Sequence, residues 1–253
     1  GSTVLDAAKQ AGADVPTLCH IKELFPTGAC RMCVVELDGR SGLVPSCSFP
    51  AQQGMTVFTN SPKVMNARRT IVELLLASHP YDCLTCNRNQ KCELQTLASQ
   101  YNIEQVPFVG KTRHYHSDFS SPSIIRNPDK CILCGRCVRV CEEIQGVSAI
   151  DFTQRGFDTI VVPAFNGDLS ETKCTNCGQC VLVCPTGAIH EVSAVDQVMN
   201  VLHDKTKRVV FQTAPAIRFS LGEFYGLKPG ENVTGKMVTA LRRMGADYVF
   251  DTD

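Results

Sequence analysis

The sequence predicts a multidomain α+β protein, and three observations carry that expectation. The first hundred residues mix short β-branched segments with helix patterns, residues 131–141 and 174–184 repeat one C-x₂-C-x₂-C-x₃-C run, and a strand–helix–strand texture begins at Arg208.

In chain order, residues 3–11 read as a short helix with Ser2 or Thr3 as N-cap and Gly12 as its stop. Short strands follow at 32–37, 44–47 and 55–59, punctuated by Asp38-Gly39, Pro45 and Gly54. Ser61-Pro62 starts a second helix, which runs through Val64, Ile71, Leu74 and Leu75 to about Ser78, where His79-Pro80 ends it. A shorter helix is expected over 92–101 and an irregular polar connector over 106–122. Each copy of the repeat starts a short helix, so its halves should be pseudo-symmetric. Beyond Arg208, a strand at 209–212, a helix at 233–244 and a strand at 248–250 read as the beginning of a βαβ unit. The expected domains are 1–60, 61–122, 123–204 and 205–253.

Composition narrows the function. The 253 residues are 43% hydrophobic, as in a folded domain, and 25 basic residues balance 25 acidic ones without a basic stripe, so neither nucleic acid nor an anionic membrane surface is an expected partner. The longest apolar stretch, 71–77, is interrupted by Glu73 and falls short of the roughly 20 residues of a membrane helix. No P-loop, dinucleotide fingerprint, nucleophile constellation or acid–base dyad is visible, and no catalytic residue is assigned. The informative feature is 15 cysteines. Their close spacing suits convergence on metal better than long-loop disulfides, and the odd count disfavours complete pairing. Reduced thiols place the protein in the cytoplasm.

Four ligand sets emerge. Cys19, Cys30, Cys33 and Cys47 are spaced C-x₁₀-C-x₂-C-x₁₃-C, which suits a [2Fe–2S] centre wrapped by the 28–33 loop, with small Gly28 and Ala29 letting the backbone approach. A Cys₄ zinc site is the alternative for this set alone. Cys83, Cys86 and Cys92 leave one iron of a [4Fe–4S] cubane without a thiolate, and His79, four residues before Cys83, is placed to supply a neutral imidazole. The plainer reading of His79 is a capping or solvent-exposed side chain.

The other eight cysteines form two runs of the type found in bacterial two-cluster ferredoxins, in which the fourth cysteine ligates the other cluster. Cys131, Cys134 and Cys137 therefore pair with Cys184, and Cys174, Cys177 and Cys180 with Cys141, for two more [4Fe–4S] clusters. Pro185 follows the last cysteine as that pattern expects, whereas Glu142 replaces the proline in the first copy. Lys130 and Lys173 each precede a first cysteine and could compensate cluster charge, although the plainer reading is an ordinary solvated lysine.

Pro16-Thr17-Leu18-Cys19, 28–33 and Pro45-Ser46-Cys47 resemble the N-terminal ferredoxin domain of [FeFe]-hydrogenases and, in this part, the large iron–sulfur subunit of complex I. The resemblance implies a plant-type (β-grasp) ferredoxin domain preceded by a hairpin, so the chain is expected to lack the first two strands. It also implies a small helical His–Cys₃ domain, then the tandem [4Fe–4S] domain. Residues 209–218, Leu221-Gly222-Glu223 and 237–253 resemble the opening of the hydrogenase catalytic α/β domain. In that family the H-cluster hangs on cysteines further downstream, and none follows Cys184 here. The chain as given is thus expected to be an electron relay that does not convert hydrogen by itself. Its implied partners are ferredoxin or a flavin-containing, NAD(P)H-oxidising subunit within a multisubunit complex. A formate dehydrogenase relay and a dedicated electron-transfer subunit are the alternatives.

Overall fold

Thr3 starts the chain with a closed capping box: its hydroxyl accepts from the Asp6 N–H at 3.2 Å, and the Asp6 carboxylate accepts from the Thr3 N–H at 3.0 Å. In the computed structural model, which describes residues 1–109 and 112–252, this cap opens α1 (Val4–Gln10). Residues 110–111 of the expected connector and the final residue of the expected last domain lie outside the described residues. The chain divides into two compact units, Gly1–Val192 and Ser193–Asp253.

In the first unit, α1 packs Val4 and Leu5 onto a three-stranded antiparallel sheet of order β2–β1–β3, built from β1 (Val34–Leu37), β2 (Leu43–Pro45) and β3 (Val57–Phe58). The strands are shorter than expected because Cys33 and Cys47 sit in turns beside them: Val34 N–H donates to Arg31 O, and Ser48 N–H to Pro45 O. Cys33 and Cys47 nonetheless share the core with Val35, Leu37 and Val44. Each such buried aliphatic side chain contributes about 1.5–3 kcal/mol, which fixes the sheet and hence the sulfurs beside it.

Ser61 caps α2 (Pro62–Ala77) through an N–H from Val64, and its hydroxyl donates to Glu36 on β1 at 2.6 Å. Buried Arg68 donates to Val34 O at 2.8 Å, locking the same helix to the same strand. Next comes α3 (Glu93–Gln100), whose Leu94 and Leu97 join Val72, Leu18 and Met32 in a second core cluster. That cluster draws the loops around Cys30 and Cys92 together.

The repeat lies between β4 (Ile124–Arg126) and its antiparallel partner at 189–191. The first copy turns through Leu133 (φ 55) and Gly135 (φ 72) into α4 (Arg136–Arg139). After the hairpin of β5 (Asp151–Thr153) and β6 (Ile160–Val162), the second copy turns through Asn176 (φ 56) and Gly178 (φ 75) into α5 (Gln179–Val183), and β7 (Ile189–Glu191) closes the region. Equal left-handed residues at equal positions give the two halves the same turn.

The halves then diverge, and the proline difference explains how. Pro185 has no N–H and clashes with a preceding helical turn, so α5 stops and Cys184 is extended. Glu142 retains its N–H, and the first copy continues through a π-helical turn over Val140–Ile144.

The second unit contains α6 (Val195–His203), β8 (Val210–Thr213), α7 (Ile217–Phe224), α8 (Thr234–Met244) and β9 (Tyr248–Asp251). β8 and β9 pair in parallel from Val210↔Tyr248 to Thr213↔Asp251, as a βαβ beginning requires. Leu202, Val233, Met237 and Ala246 are its buried apolar residues.

Candidate metal centres

The first cysteine set converges. Hydrogen-bond contacts link Cys19 to Cys30 and Cys47, and Cys33 to Cys47. These bonds hold Cys19 and Cys33 below the ordinary thiol range, Cys33 at about 6, and push Cys30 and Cys47 up. Arg31 (φ 59) and Gly28 (φ 63) take left-handed turns that aim backbone N–H groups inward, and Met32 N–H lies 3.4 Å from Cys30 Sγ. A side chain at Gly28 would crowd Ser48 Oγ at 3.1 Å, so the small residue is needed for the loop to close. Four sulfurs in a nest of N–H donors suit a [2Fe–2S] core.

The second set lies around a hollow lined by His79, Cys83 and Cys92, while the Cys86 sulfur turns towards Gly187 and Lys130. Burial pushes His79 below its ordinary value against the pull of Asp82, favouring the neutral, ligating imidazole. Its Nδ1 is buried without a hydrogen-bond partner. His20 and His190 also have an orphaned Nδ1, but neither has three otherwise unassigned cysteines beside it.

The repeat gives the clearest geometry. One cavity, with about 450 Å³ of atom-free space partly open to solvent, is lined by Cys174, Cys177, Cys180 and Cys141. A second, of about 470 Å³, is lined by Cys131, Cys134, Cys137 and Cys184. Each hollow thus takes three sulfurs from one copy and the fourth from the other. Burial pushes Cys131 up to about 11, Cys134 to about 12 and Cys180 to about 11, and it also raises Cys137. Such thiolates need a compensating cation, and cluster iron supplies one. N–H groups of Leu133 and Ala149 approach Cys131 and Cys141 sulfurs at 3.4 Å. All 15 cysteines are free of disulfides. Among the described residues no three His, Cys, Asp or Glu side chains close round a point as a single ion requires.

Three buried cations missed by cysteine spacing tie these sites together. Arg139 donates to Phe25 O at 2.6 Å and to Cys19 O, while Arg136 donates to Glu93 at 2.6 Å. Lys130 is 8% exposed and pairs with Asp82 at 2.7 Å, which corrects its reading as a solvated lysine. Lys173, at the equivalent place in the second copy, is exposed as expected. For Lys130 the sequence raised charge compensation of a cluster, but not of the Cys86 set; for Arg136 and Arg139 only their positions beside ligands hinted at a role.

These sites and the small sheets around them define an iron–sulfur protein with several cluster-binding regions. Four family descriptions match successive segments: "2Fe-2S iron-sulfur cluster binding domain" at 1–62, "NADH-ubiquinone oxidoreductase-G iron-sulfur binding region" at 68–107, "4Fe-4S dicluster domain" at 130–188, and "Iron only hydrogenase large subunit, C-terminal domain" at 207–253. The chain is 51% identical to the NADP-reducing hydrogenase subunit HndD of Solidesulfovibrio fructosivorans, over 100% of this chain and 44% of that protein. It is 36% identical to iron hydrogenase 1 of Clostridium pasteurianum, over 99% of this chain and 44% of the relative. Among solved structures, a chain of an NAD⁺-reducing [NiFe]-hydrogenase in the H₂-reduced state superposes with a TM-score of 0.72 at 34% identity, covering 77% of this chain and 82% of that one. The chain is thus similar along its whole length to iron-only hydrogenase subunits, and over 68–107 it matches an iron–sulfur binding region of NADH-ubiquinone oxidoreductase. It carries iron–sulfur cluster-binding regions and spans under half the length of those two curated relatives.

Proposed function

We propose that the chain holds one [2Fe–2S] cluster on Cys19, Cys30, Cys33 and Cys47 and three [4Fe–4S] clusters. Their ligands are His79, Cys83, Cys86 and Cys92; Cys131, Cys134, Cys137 and Cys184; and Cys174, Cys177, Cys180 and Cys141. The observation that carries this reading is the pair of cavities whose lining cysteines cross between the two copies. Each cluster exchanges one electron, so the chain stores and passes electrons while its own side chains orient clusters and exclude water. The four domains run over 1–60, 61–122, 123–204 and 205–253.

At one end the relay exchanges electrons with a hydrogen-converting H-cluster carried outside these residues. At the other it serves ferredoxin or a flavin-containing NAD(P)H-oxidising subunit, in the cytoplasm. The match of 207–253 to the hydrogenase C-terminal domain favours this over a formate dehydrogenase relay. No helix among the described residues is long and apolar enough to cross a membrane. Anaerobic reductive titration of the cluster-loaded chain should take up about four electrons per chain. Uptake of only one or two would count against four clusters.

A further inference from the structure

Lys130 directly precedes Cys131, yet its ammonium faces a different ligand set. Nζ lies 2.7 Å from Asp82 Oδ2, and the lysine side chain and the Cys86 sulfur both lie against Gly187, so the ammonium acts on that sulfur at short range. The lysine is held there from both sides: its N–H donates to Asn127 O at 3.2 Å, and its carbonyl accepts from buried Thr186 Oγ1 at 2.7 Å. Its stem passes Gly187, where an added Cβ would lie 3.3 Å from Lys130 Cδ and 2.7 Å from Cys86 Sγ. A larger residue at 187 would force the Cys86 loop away. Arg88 donates to Cys184 O at 2.8 Å and the Glu93 N–H to Pro185 O at 2.9 Å, fixing the two backbones on each other.

A reduced cluster carries one more negative charge than an oxidised one. A poorly hydrated cation close to a ligand sulfur therefore favours reduction, and its strength depends on its burial. The Lys130 side chain is 10% exposed and that of Asp82 42%, so solvent screens the carboxylate more than the ammonium. We propose that Lys130 is a tuning residue that raises the reduction potential of the cluster on His79, Cys83, Cys86 and Cys92, although it adjoins a ligand of another cluster. The inference rests on Cys86 being a ligand, as set out above.

The test is redox-titrated EPR of the anaerobically loaded full chain. K130M should shift the reduced-to-oxidised ratio of the His79-set cluster roughly tenfold towards oxidised at a fixed potential, about 59 mV for a one-electron couple. K130Q, which keeps a donor without the charge, should shift it in the same direction should the apolar variant fail to fold. K130R should stay near wild type, and K173M should leave all four clusters unmoved. An unchanged midpoint in K130Q with the signal retained, or a shift confined to the Cys131 cluster, would overturn the proposal. Cys86→Ala separates the two readings: if it keeps full iron and the same signal, the ligand assignment fails.

Discussion

Arg136 donates to Glu93 at 2.6 Å, joining the residue before Cys137 to the residue after Cys92. The same guanidinium reaches Val183 O and His20 O at 3.5 Å, beside Cys184 and Cys19. One buried cation thus touches the neighbours of ligands from three sites. Replacing Arg136 by Ala should cost about 1–3 kcal/mol. Anaerobic calorimetry should then find Tm lowered by about 2–10 °C for a chain of this size. E93Q should cost less, because Glu93 is 41% exposed and Gln retains an acceptor. An R136A protein that melts with wild type would remove the clamp from the account.

His79 tests the second site. Substituting Cys adds a thiolate charge to both redox states and disfavours the reduced one, so the midpoint of that cluster should fall. The readout is an EPR redox titration. An unchanged midpoint, with cluster content intact, means that His79 is not a ligand.

The crossed pairing makes a sharper demand. Cys141→Ser should perturb the same EPR signal as Cys174→Ser, and Cys184→Ser the same signal as Cys134→Ser. The cavities lined by these residues require that grouping. If Cys141→Ser groups with Cys134→Ser instead, each copy binds its own cluster.

Asp118 gives the pH dependence. Burial opposes its charge, but the Ser120 hydroxyl and N–H, the Leu169 N–H and Arg126 outweigh that and hold it down at about 2. With the folded value below the unfolded one, its contribution is complete above roughly pH 4 and is lost as pH falls through about 2. Asp118→Asn removes the charge that Arg126, whose side chain is 6% exposed, pairs with, and should cost about 2–3 kcal/mol at neutral pH. The Tm gap between wild type and variant should stay constant from about pH 8 to 5 and close between about pH 4 and 2. A gap that persists at the acid end would contradict the assignment.

The sequence was most legible where chemistry demands local spacing. Cysteine runs identify candidate sets because close loops must deliver several sulfurs to one core, and the strand–helix–strand beginning was readable from 209–250. Three-residue β4, β5, β6 and β7 are too short to display an alternating pattern. Helices α6 and α7 follow the N-cap residues Ala194 and Ala216, which offer no side-chain cap, so their starts carry no signal. Glu142 was visible, but the π turn it permits depends on packing beyond the motif. Lys130 was misread because its neighbour in sequence is Cys131 and its neighbour in space is Cys86.

The central claim is most directly tested by anaerobic metal and sulfide analysis of the loaded chain. The ligand sets predict about 14 iron and about 14 acid-labile sulfide per chain, with no stoichiometric zinc. Zinc in place of iron, or iron sufficient for only two clusters after full reconstitution, would contradict it.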